Sequence, residues 1–549
     1  MKKQRKPRAV TILALLGLVV MGVVGTGSAA PPHDPDLSNV ATANTKAVGS
    51  APASKLSVEL GQIAVAQGST SLENPTALIG FYGYENDLVS AGDPTKPQMV
   101  PTTGVANEAQ KTEPDKNTYL VFNGGLSGAD PSYDYGTDFL YQGHENAATV
   151  GGAKQGYITR INLDADAAHR VTLLAHHDVV GAPLATIDGS TWDPWAEKLI
   201  LTTENQNAPT YTATADYPSS VVDVSGAVGR GGYEGVQNDS DGNLSIIEDI
   251  GGANKTGTTA KIPNSFVYRY VPRTPGDYVR GRLEALQVLN LEGDPITFES
   301  QTPLNSPDQL ELHTYGNVFD TRWVTVHNCT NPAGCAPFNA NLAAKDAHAT
   351  PFKRPENGQF RPGSHFKELY FDETGDTNAT SPENPNAGGW GSIMKLTQAS
   401  PSASTGRLTM FYKSNQAHSG LDNAAFLSRD LITFGEDAGD TLHGQRNALD
   451  SAFVWDVTED YSDPANQPVR WLAEGRDASA TIDSAAGGFG KNDGDNEVTG
   501  ITVSDGDPGP NGILGARDPN LFHGNDWRFF YTQQHGDNIT YEVVANDEH

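Results

Sequence analysis

Residues 229–252 read GRGGYEGVQNDSDGNLSIIEDIGG. Two short runs of strand-forming residues, YEGVQ (233–237) and LSIIE (244–248), flank NDSDGN (238–243), whose Asn, Asp and Gly residues suit a tight turn. The stretch predicts an antiparallel hairpin. In such a hairpin the start of the first strand and the end of the second lie at the same end of the sheet. Glu234 on one side, and Glu248 and Asp249 on the other, therefore share a rim. The alternating acids before Gly242 resemble the start of an EF-hand loop, but no helical pattern flanks them. The twelfth position from Asn238 is Asp249 rather than a glutamate, so the segment reads as a turn.

The same arrangement recurs along the chain. Asp422 and Glu436 are 14 residues apart, as are Glu234 and Glu248. Glu356 precedes Asp372 and Glu373 by 16 and 17 residues, and Asp188 precedes Glu204 by 16. Glu497 pairs with Gln534 across a longer insertion. Elsewhere short β-branched and aromatic runs such as TYLVFNGG (118–125), KLILTTE (198–204) and WRFFYTQQ (527–534) alternate with Gly, Asn, Asp and Pro, while helical periodicity is scarce. The fold class predicted is all-β. Hairpins repeated at uneven intervals suit a radial stack of four-stranded sheets, a β-propeller, in which equivalent rims converge on a central channel. Six blades of about 80 residues with long loop insertions is the expected architecture, and five or seven are compatible with the spacing.

The ends bound the domain. MKKQRKPR, then TILALLGLVVMGVVG, then TGSAA form the basic, apolar and small-residue parts of a secretory signal peptide over residues 1–29. Residues 30–55, rich in Pro, Ala, Ser and Asn without periodicity, are expected to be a disordered linker, and residues 56–549 a single propeller domain. The protein is thus expected to be secreted, extracellular or periplasmic, with no membrane association after cleavage. The formal charge of −30 becomes more negative once Lys2, Lys3, Arg5, Lys6 and Arg8 are removed. Such a surface excludes nucleic acid as a partner. The two cysteines, Cys329 and Cys335 in HNCTNPAGC, are expected to form a disulfide closing a small loop.

Any one acid at a strand end is explained by turn formation and solvation. A repeated pair is not. Carboxylates crowded in a channel raise one another's pKa unless cations or basic side chains offset them. The rim segments carry few bases, Lys353 and Arg354 being the main exception. An excess of hard oxygen ligands suits Ca²⁺. The adjacent His176 and His177 show no metal spacing and read as structural. No serine-hydrolase elbow, phosphate-binding Walker loop or H-E-x-x-H motif is present.

Taken in order, LYQGHEN (140–146), STWDPWAEKLILTTEN (190–205), the 231–252 hairpin with SFVYRYVP (265–272), FKRPENGQF (352–360) and SGLDNAAFLSRDLITFGED (419–437) resemble PhoX-type alkaline phosphatases. The resemblance spans about residues 78–540. It implies a six-bladed propeller with a mixed iron–calcium centre on its axis that hydrolyses phosphomonoesters. Carried over by position, it implies metal ligands at Glu145 (beside His144), Asp188, Glu204, Glu234, Glu248, Glu356, Asp422 and Glu436. Arg354 either clamps phosphate or fixes a neighbouring carboxylate. Where the family has an iron-binding cysteine this chain has Asp188, and where it ends a strand in two glutamates this chain has Glu204–Asn205. An all-oxygen set suits calcium, magnesium or manganese better than a thiolate-ligated Fe³⁺. The basic leader also lacks the adjacent arginines of a twin-arginine signal.

The functional expectation is a secreted, metal-dependent phosphatase, a monomer acting on a small phosphorylated substrate, with Ca²⁺ and either Fe³⁺ or another divalent metal. The alternatives are a non-catalytic calcium-binding propeller and a calcium-dependent esterase or lactonase.

Overall fold

The computed structural model describes residues 36–46, 53–99, 109–145, 148–150, 153–300, 306–376, 385–475, 497–512, 517–522, 526–535 and 538–546. The signal peptide expected over 1–29 lies outside them.

The 229–252 stretch is a hairpin. Tyr233 faces Glu248 and Asn238 faces Leu244 across antiparallel strands Tyr233–Asn238 and Leu244–Glu248. The turn is held by Asp239, whose Oδ1 accepts from the amides of Asp241 (2.8 Å) and Asn243 (3.0 Å). No cation is needed to explain it.

Among the described residues the strands group into six four-stranded antiparallel units. The first holds Thr118–Val121, Asp138–Gly143, Ile158–Asn162 and Val171–Ala175; the second holds Ser190–Asp193, Lys198–Leu201, Tyr211–Ala213 and Val221–Asp223. The hairpin opens the third, which continues with Val267–Pro272 and Gly281–Val288. The fourth holds Gly358–Phe360, Glu368–Glu373, Ser392–Gln398 and Thr405–Lys413. In the fifth, Leu421–Phe426, Leu431–Glu436, Ser451–Asp456 and Val469–Ala473 lie in order, and in the sixth, Glu497–Ser504, Arg528–Gln534 and Ile539–Ala545. An eleven-residue strand, Phe319–Cys329, pairs with the last strands of units three and four and joins them into one sheet.

The opening strands of the six units touch in cyclic order, and the sixth returns to the first. This closed ring makes the architecture propeller-like. Each interface between neighbouring units holds its own apolar core. Strand alternation sends successive side chains to opposite faces, and here both faces are covered. Leu199 and Leu201 pack toward unit one while Ile200 packs toward unit three. Ile246 faces unit two while Ile247 faces unit four. Phe529 and Tyr531 face unit five while Phe530 faces unit one. Burial on both sides explains why the second strands read as unbroken apolar runs rather than alternating ones.

The sixth unit is completed by Leu60–Ala66, which pairs with Ile539–Ala545, so the two ends of the domain share a sheet. The linker expected over 30–55 is corrected in its described part. Lys55–Leu56 adds a fifth strand to unit five, and the Val40 amide donates to the Arg470 carbonyl (2.8 Å). Asn44 is buried and donates to the carbonyls of Ala53 (3.0 Å) and Glu474 (2.9 Å). A small polar side chain that caps edge carbonyls has the composition of a linker and the role of a strap.

Cys329 and Cys335 form the expected disulfide, at the end of the long bridging strand. Among the described residues no helix is long and apolar enough to cross a membrane.

The seam between the sixth and first units tests the closure. Phe530 is fully buried and packs at 5.4 Å on the Tyr119 ring. Phe530→Ala is expected to destabilise the protein by about 3–5 kcal/mol, read as a lowered midpoint in denaturant unfolding.

Candidate metal centre

Each opening strand begins with the same local irregularity. Between Tyr233↔Glu248 and Val236↔Ile246, two residues, Glu234 and Gly235, stand opposite one. The same bulge falls at Asp422–Asn423 and at Gly500–Ile501. Backbone hydrogen bonds place it at Asp115–Lys116, between the Pro114–His144 bridge and the Thr118–Tyr141 pair, and at Asp188–Gly189 and Glu356–Asn357. A bulge turns its first side chain out of the pleat and bends the strand. Here that side chain is Asp115, Asp188, Glu234, Glu356, Asp422 or, in the sixth unit, the Gly500 hydrogen. Five carboxylates therefore point at one axis.

The second bulge residue is small where a neighbouring unit comes close. A Cβ on Gly189 would sit 1.7 Å from the Glu234 carbonyl oxygen, and one on Gly235 would sit 2.6 Å from that of Glu356. Hydrogen bonds tie each bulge region to the next: Ser190 Oγ to Lys116 O (3.0 Å), Thr202 Oγ1 to Glu234 O (2.8 Å), Gly235 N to Glu356 O (2.8 Å), Thr374 Oγ1 to Leu421 O (2.6 Å), Asn423 Nδ2 to Thr499 Oγ1 (2.9 Å) and Asn117 Nδ2 to Gly500 O (2.7 Å). The acids are thus mounted on a rigid hoop.

A second set of acids comes from the residue just beyond the returning strand. Glu145, Glu204, Asp249 and Asp437 occupy this position in units one, two, three and five, and Thr374 occupies it in unit four. Two groups of three carboxylates each bring one oxygen per residue within 4.8 Å of the others: Asp115, Glu145 and Asp188, and Glu234, Asp249 and Glu356. Glu204 is exposed to solvent and makes hydrogen-bonding contact with both Glu145 and Asp249, linking the groups.

Of the ligands expected from sequence, Glu145, Asp188, Glu204, Glu234, Glu356 and Asp422 come together here. Glu248 and Glu436 do not. Glu248 Oε2 accepts from Phe266 N (3.0 Å), Tyr268 Oη (3.2 Å) and Asn341 Nδ2 (2.9 Å), inside the interface between sheets. Glu436 accepts from Arg446 Nη1 (2.7 Å) and Ser419 N (2.9 Å). In each ED pair the first acid is the last ladder residue and points into the packing, so the second, Asp249 or Asp437, turns to the axis. His144 holds the position equivalent to Glu248: it is buried, stacked 3.9 Å from Tyr157 and bonded to Thr159 (2.9 Å). His176 and His177 pack against one another elsewhere.

The sequence reading missed Asp115, Lys116, Asp249 and Asp437 as axial groups. For Asp115 the rule of an acid before a strand was available, in PDKNTYLV (114–121), but its partner Glu145 is 30 residues away across a long loop. A bulge signature, acid followed by Gly or Asn, would have collected DG (188–189), EG (234–235), EN (356–357) and DN (422–423).

Crowding shows in the electrostatics. Burial, then the charges of Glu145 and Asp422, pushes Asp115 well above the usual carboxylate range. Burial, then Asp115 and Glu145, does the same to Asp188, and burial, then Asp188 and Asp422, to Glu234. Glu145 is pushed up to about 7 by burial and then Glu113, and Asp437 to about 6 by burial, against the opposing pull of Arg354. Arg354 holds the left-handed conformation (φ 51°), its side chain 13% exposed. It donates to Asp249 through Nε (2.9 Å) and Nη2 (2.6 Å), and its Nη2 lies 2.7 Å from Glu356. Even so, Glu356 Oε2 and Asp372 Oδ2, both buried, lack a hydrogen-bond donor. Bare buried carboxylate oxygens are costly, and a cation among them removes that cost. The donor set fits an oxygen-loving metal. The cysteine sulfurs are consumed in the disulfide, so neither offers a thiolate.

The family model for alkaline phosphatase PhoX matches residues 239–507. That stretch of the chain carries the PhoX family's sequence pattern. The structure of Pseudomonas fluorescens PhoX in complex with vanadate, a transition state analogue, superposes with a TM-score of 0.56 over 93% of this chain and 98% of that one, at 10% identity. At that identity the likeness shows the fold, and it agrees with the PhoX assignment. A putative gluconolactonase (TM-score 0.25, 10% identity, 66% of this chain and 88% of that one) and a glucose dehydrogenase (0.28, 11%, 66% and 96%) are too remote to bear on this protein. No curated protein sequence matches.

Two measurements check the centre. The raised acids bind more protons folded than unfolded, so without metal their stabilising contribution is present at low pH and is lost as pH rises. The window runs from the ordinary values of 3.8 and 4.5 up through about 6 for Asp437 and about 7 for Glu145. Chelated protein is expected to melt at a lower temperature at pH 8 than at pH 5, and millimolar calcium to abolish that fall, by calorimetry. The ED pairs separate by function: Asp249→Asn is expected to weaken calcium binding roughly tenfold or more. Glu248→Gln is expected to leave calcium binding intact while costing about 1–2 kcal/mol of stability.

Proposed function

We propose that this protein is a secreted, metal-dependent phosphomonoesterase acting at the axial carboxylate centre. The observation that carries the reading is Glu356: a buried carboxylate whose Oε1 is ion-paired with Arg354 (2.7 Å) and whose Oε2 has no donor, beside a guanidinium oriented by Asp249. Asp115, Glu145, Asp188, Glu204, Glu234, Asp249, Glu356 and Asp422 would hold the metal ions. Their all-oxygen chemistry favours calcium, magnesium or manganese over thiolate-ligated iron. When bound, such cations neutralise ester oxygens, polarise phosphorus and make water a better nucleophile. Arg354 supplies a directional donor for a phosphate oxygen. Asp249 keeps that donor aimed, and its charge holds the guanidinium protonated. His535 stands at the mouth between Glu113 (3.4 Å) and Glu497 (3.3 Å). Burial disfavours its charge, but Glu113, and after it Asp437, raise its pKa overall, which makes that side of the site partly cationic. The leader at residues 1–29 would direct export, and the mature chain would act as a monomer.

Hydrolysis of an aryl phosphate by purified protein, with calcium and with chelator, tests the proposal. Activity is expected with calcium and lost with chelator. Arg354→Ala is expected to lower kcat/KM by about 10²–10³ with calcium binding retained, and Glu356→Gln to lower both activity and metal content. Calcium-dependent melting without turnover would instead identify a non-catalytic calcium-binding propeller.

A further inference from the structure

Three of the second bulge residues, Lys116, Asn357 and Asn423, add side-chain donors beside the acids. Asn357 Nδ2 donates to Glu234 (3.0 Å) and to Asp422 Oδ1 (2.9 Å), and Asn423 Nδ2 donates to Asp422 Oδ2 (2.9 Å). These amides fill the lower oxygens without bringing charge. Lys116 brings one. It is 4% exposed, and its Nζ donates to Ile501 O (3.0 Å), Asn423 Oδ1 (3.2 Å) and Ala424 O (3.4 Å). Three acceptors match the three protons of an ammonium, whereas a neutral amine has two. The side chain starts in the first unit and ends on the fifth and sixth, across the floor of the ring. Burial lowers the Lys116 pKa, and the carboxylates whose charge opposes that fall are Asp422, Asp115, Glu234 and Asp188, four of the five that open the units. Oxygen acceptors on several sides, with carboxylates above, are the surroundings a metal ion would otherwise take.

We propose that Lys116 is a built-in cation of the hub: its ammonium balances one charge of the acid ring from below and occupies the place of a further metal ion, so that exchangeable cations bind only toward the mouth. The inference rests on the reading that the hub holds cations. A fixed ammonium is present at any calcium concentration, so it keeps the floor assembled when the metals above are absent. It also positions the acids, because Asn423, which accepts from Lys116, holds Asp422 with its other end.

The test compares the full chain with Lys116→Met, which keeps length and removes charge. Equilibrium dialysis with elemental analysis is expected to give one more calcium per chain in the variant. Chelator is expected to lower the melting temperature of the variant far more than that of the wild type, and calcium to restore it. Asp115→Asn added to Lys116→Met removes one negative charge and is expected to return both calcium count and chelator resistance to wild-type values. A role in packing or hydrogen bonding alone would not be rescued in this way. If Lys116→Met binds the same calcium as wild type, or the double variant shows no rescue, the proposal is overturned. If the single variant cannot be obtained folded, the double variant decides: folded protein supports charge balance, and failure to fold overturns it. Wild-type protein that takes up no calcium would instead overturn the metal reading itself, and this inference with it.

Discussion

Mutual repulsion among buried carboxylates is the constraint around which this molecule is arranged. Six opening strands close into a ring, and a one-residue bulge in each points its first side chain at the axis. The acids cannot move apart, because each bulge region is bonded to the next unit. Their charge must be met where they stand. Arg354 meets part of it from the side, Lys116 from below and the amides of Asn357, Asn423 and Gln534 by hydrogen bonding. What they leave unmet, above all at Glu356 Oε2, is a cost that a cation among these oxygens would remove.

Much of the fold was legible because hairpins have short-range grammar. The 238–243 turn, the strand runs and the same-end geometry of acid pairs all follow from neighbours in sequence, and the pairing Glu497↔Gln534 was readable despite a long insertion. The acids of the ED pairs were legible to within one residue, and Asp115 was missed because its partner Glu145 is 30 residues away. Choosing Glu248 over Asp249, and Glu436 over Asp437, is a question of which way a side chain faces at the last rung of a ladder. That depends on the bulge opposite, which the strand's own sequence does not show. Lys116 was harder still: a lysine beside a strand usually reaches solvent, and only ring closure brings Ile501, 385 residues away, to its amine. The strap at 36–46 was hidden by composition, since Asn44 stabilises through capping rather than through apolar burial.

The comparison with Pseudomonas fluorescens PhoX, alike over most of both chains at 10% identity, shows how little of the sequence the architecture prescribes. The requirements are local: β-branched and aromatic residues in the second and third strands, Gly or Asn where two backbones approach, and an acid at the bulge. Everything on the outer loops is free to change. A centre built from bulges can exchange one ligand for another without disturbing the sheets.

Because Leu60–Ala66 lies against Ile539–Ala545, a strand near the start of the domain waits for the last one before its edge is paired. Glu497, Gln534 and His535 likewise arrive near the end of synthesis, and Asp115 takes its hydrogen bond from that very Gln534. A truncated product would therefore carry most of the acids yet enclose no cavity. The ring of acids thus belongs to the finished polypeptide, once the circle is able to shut.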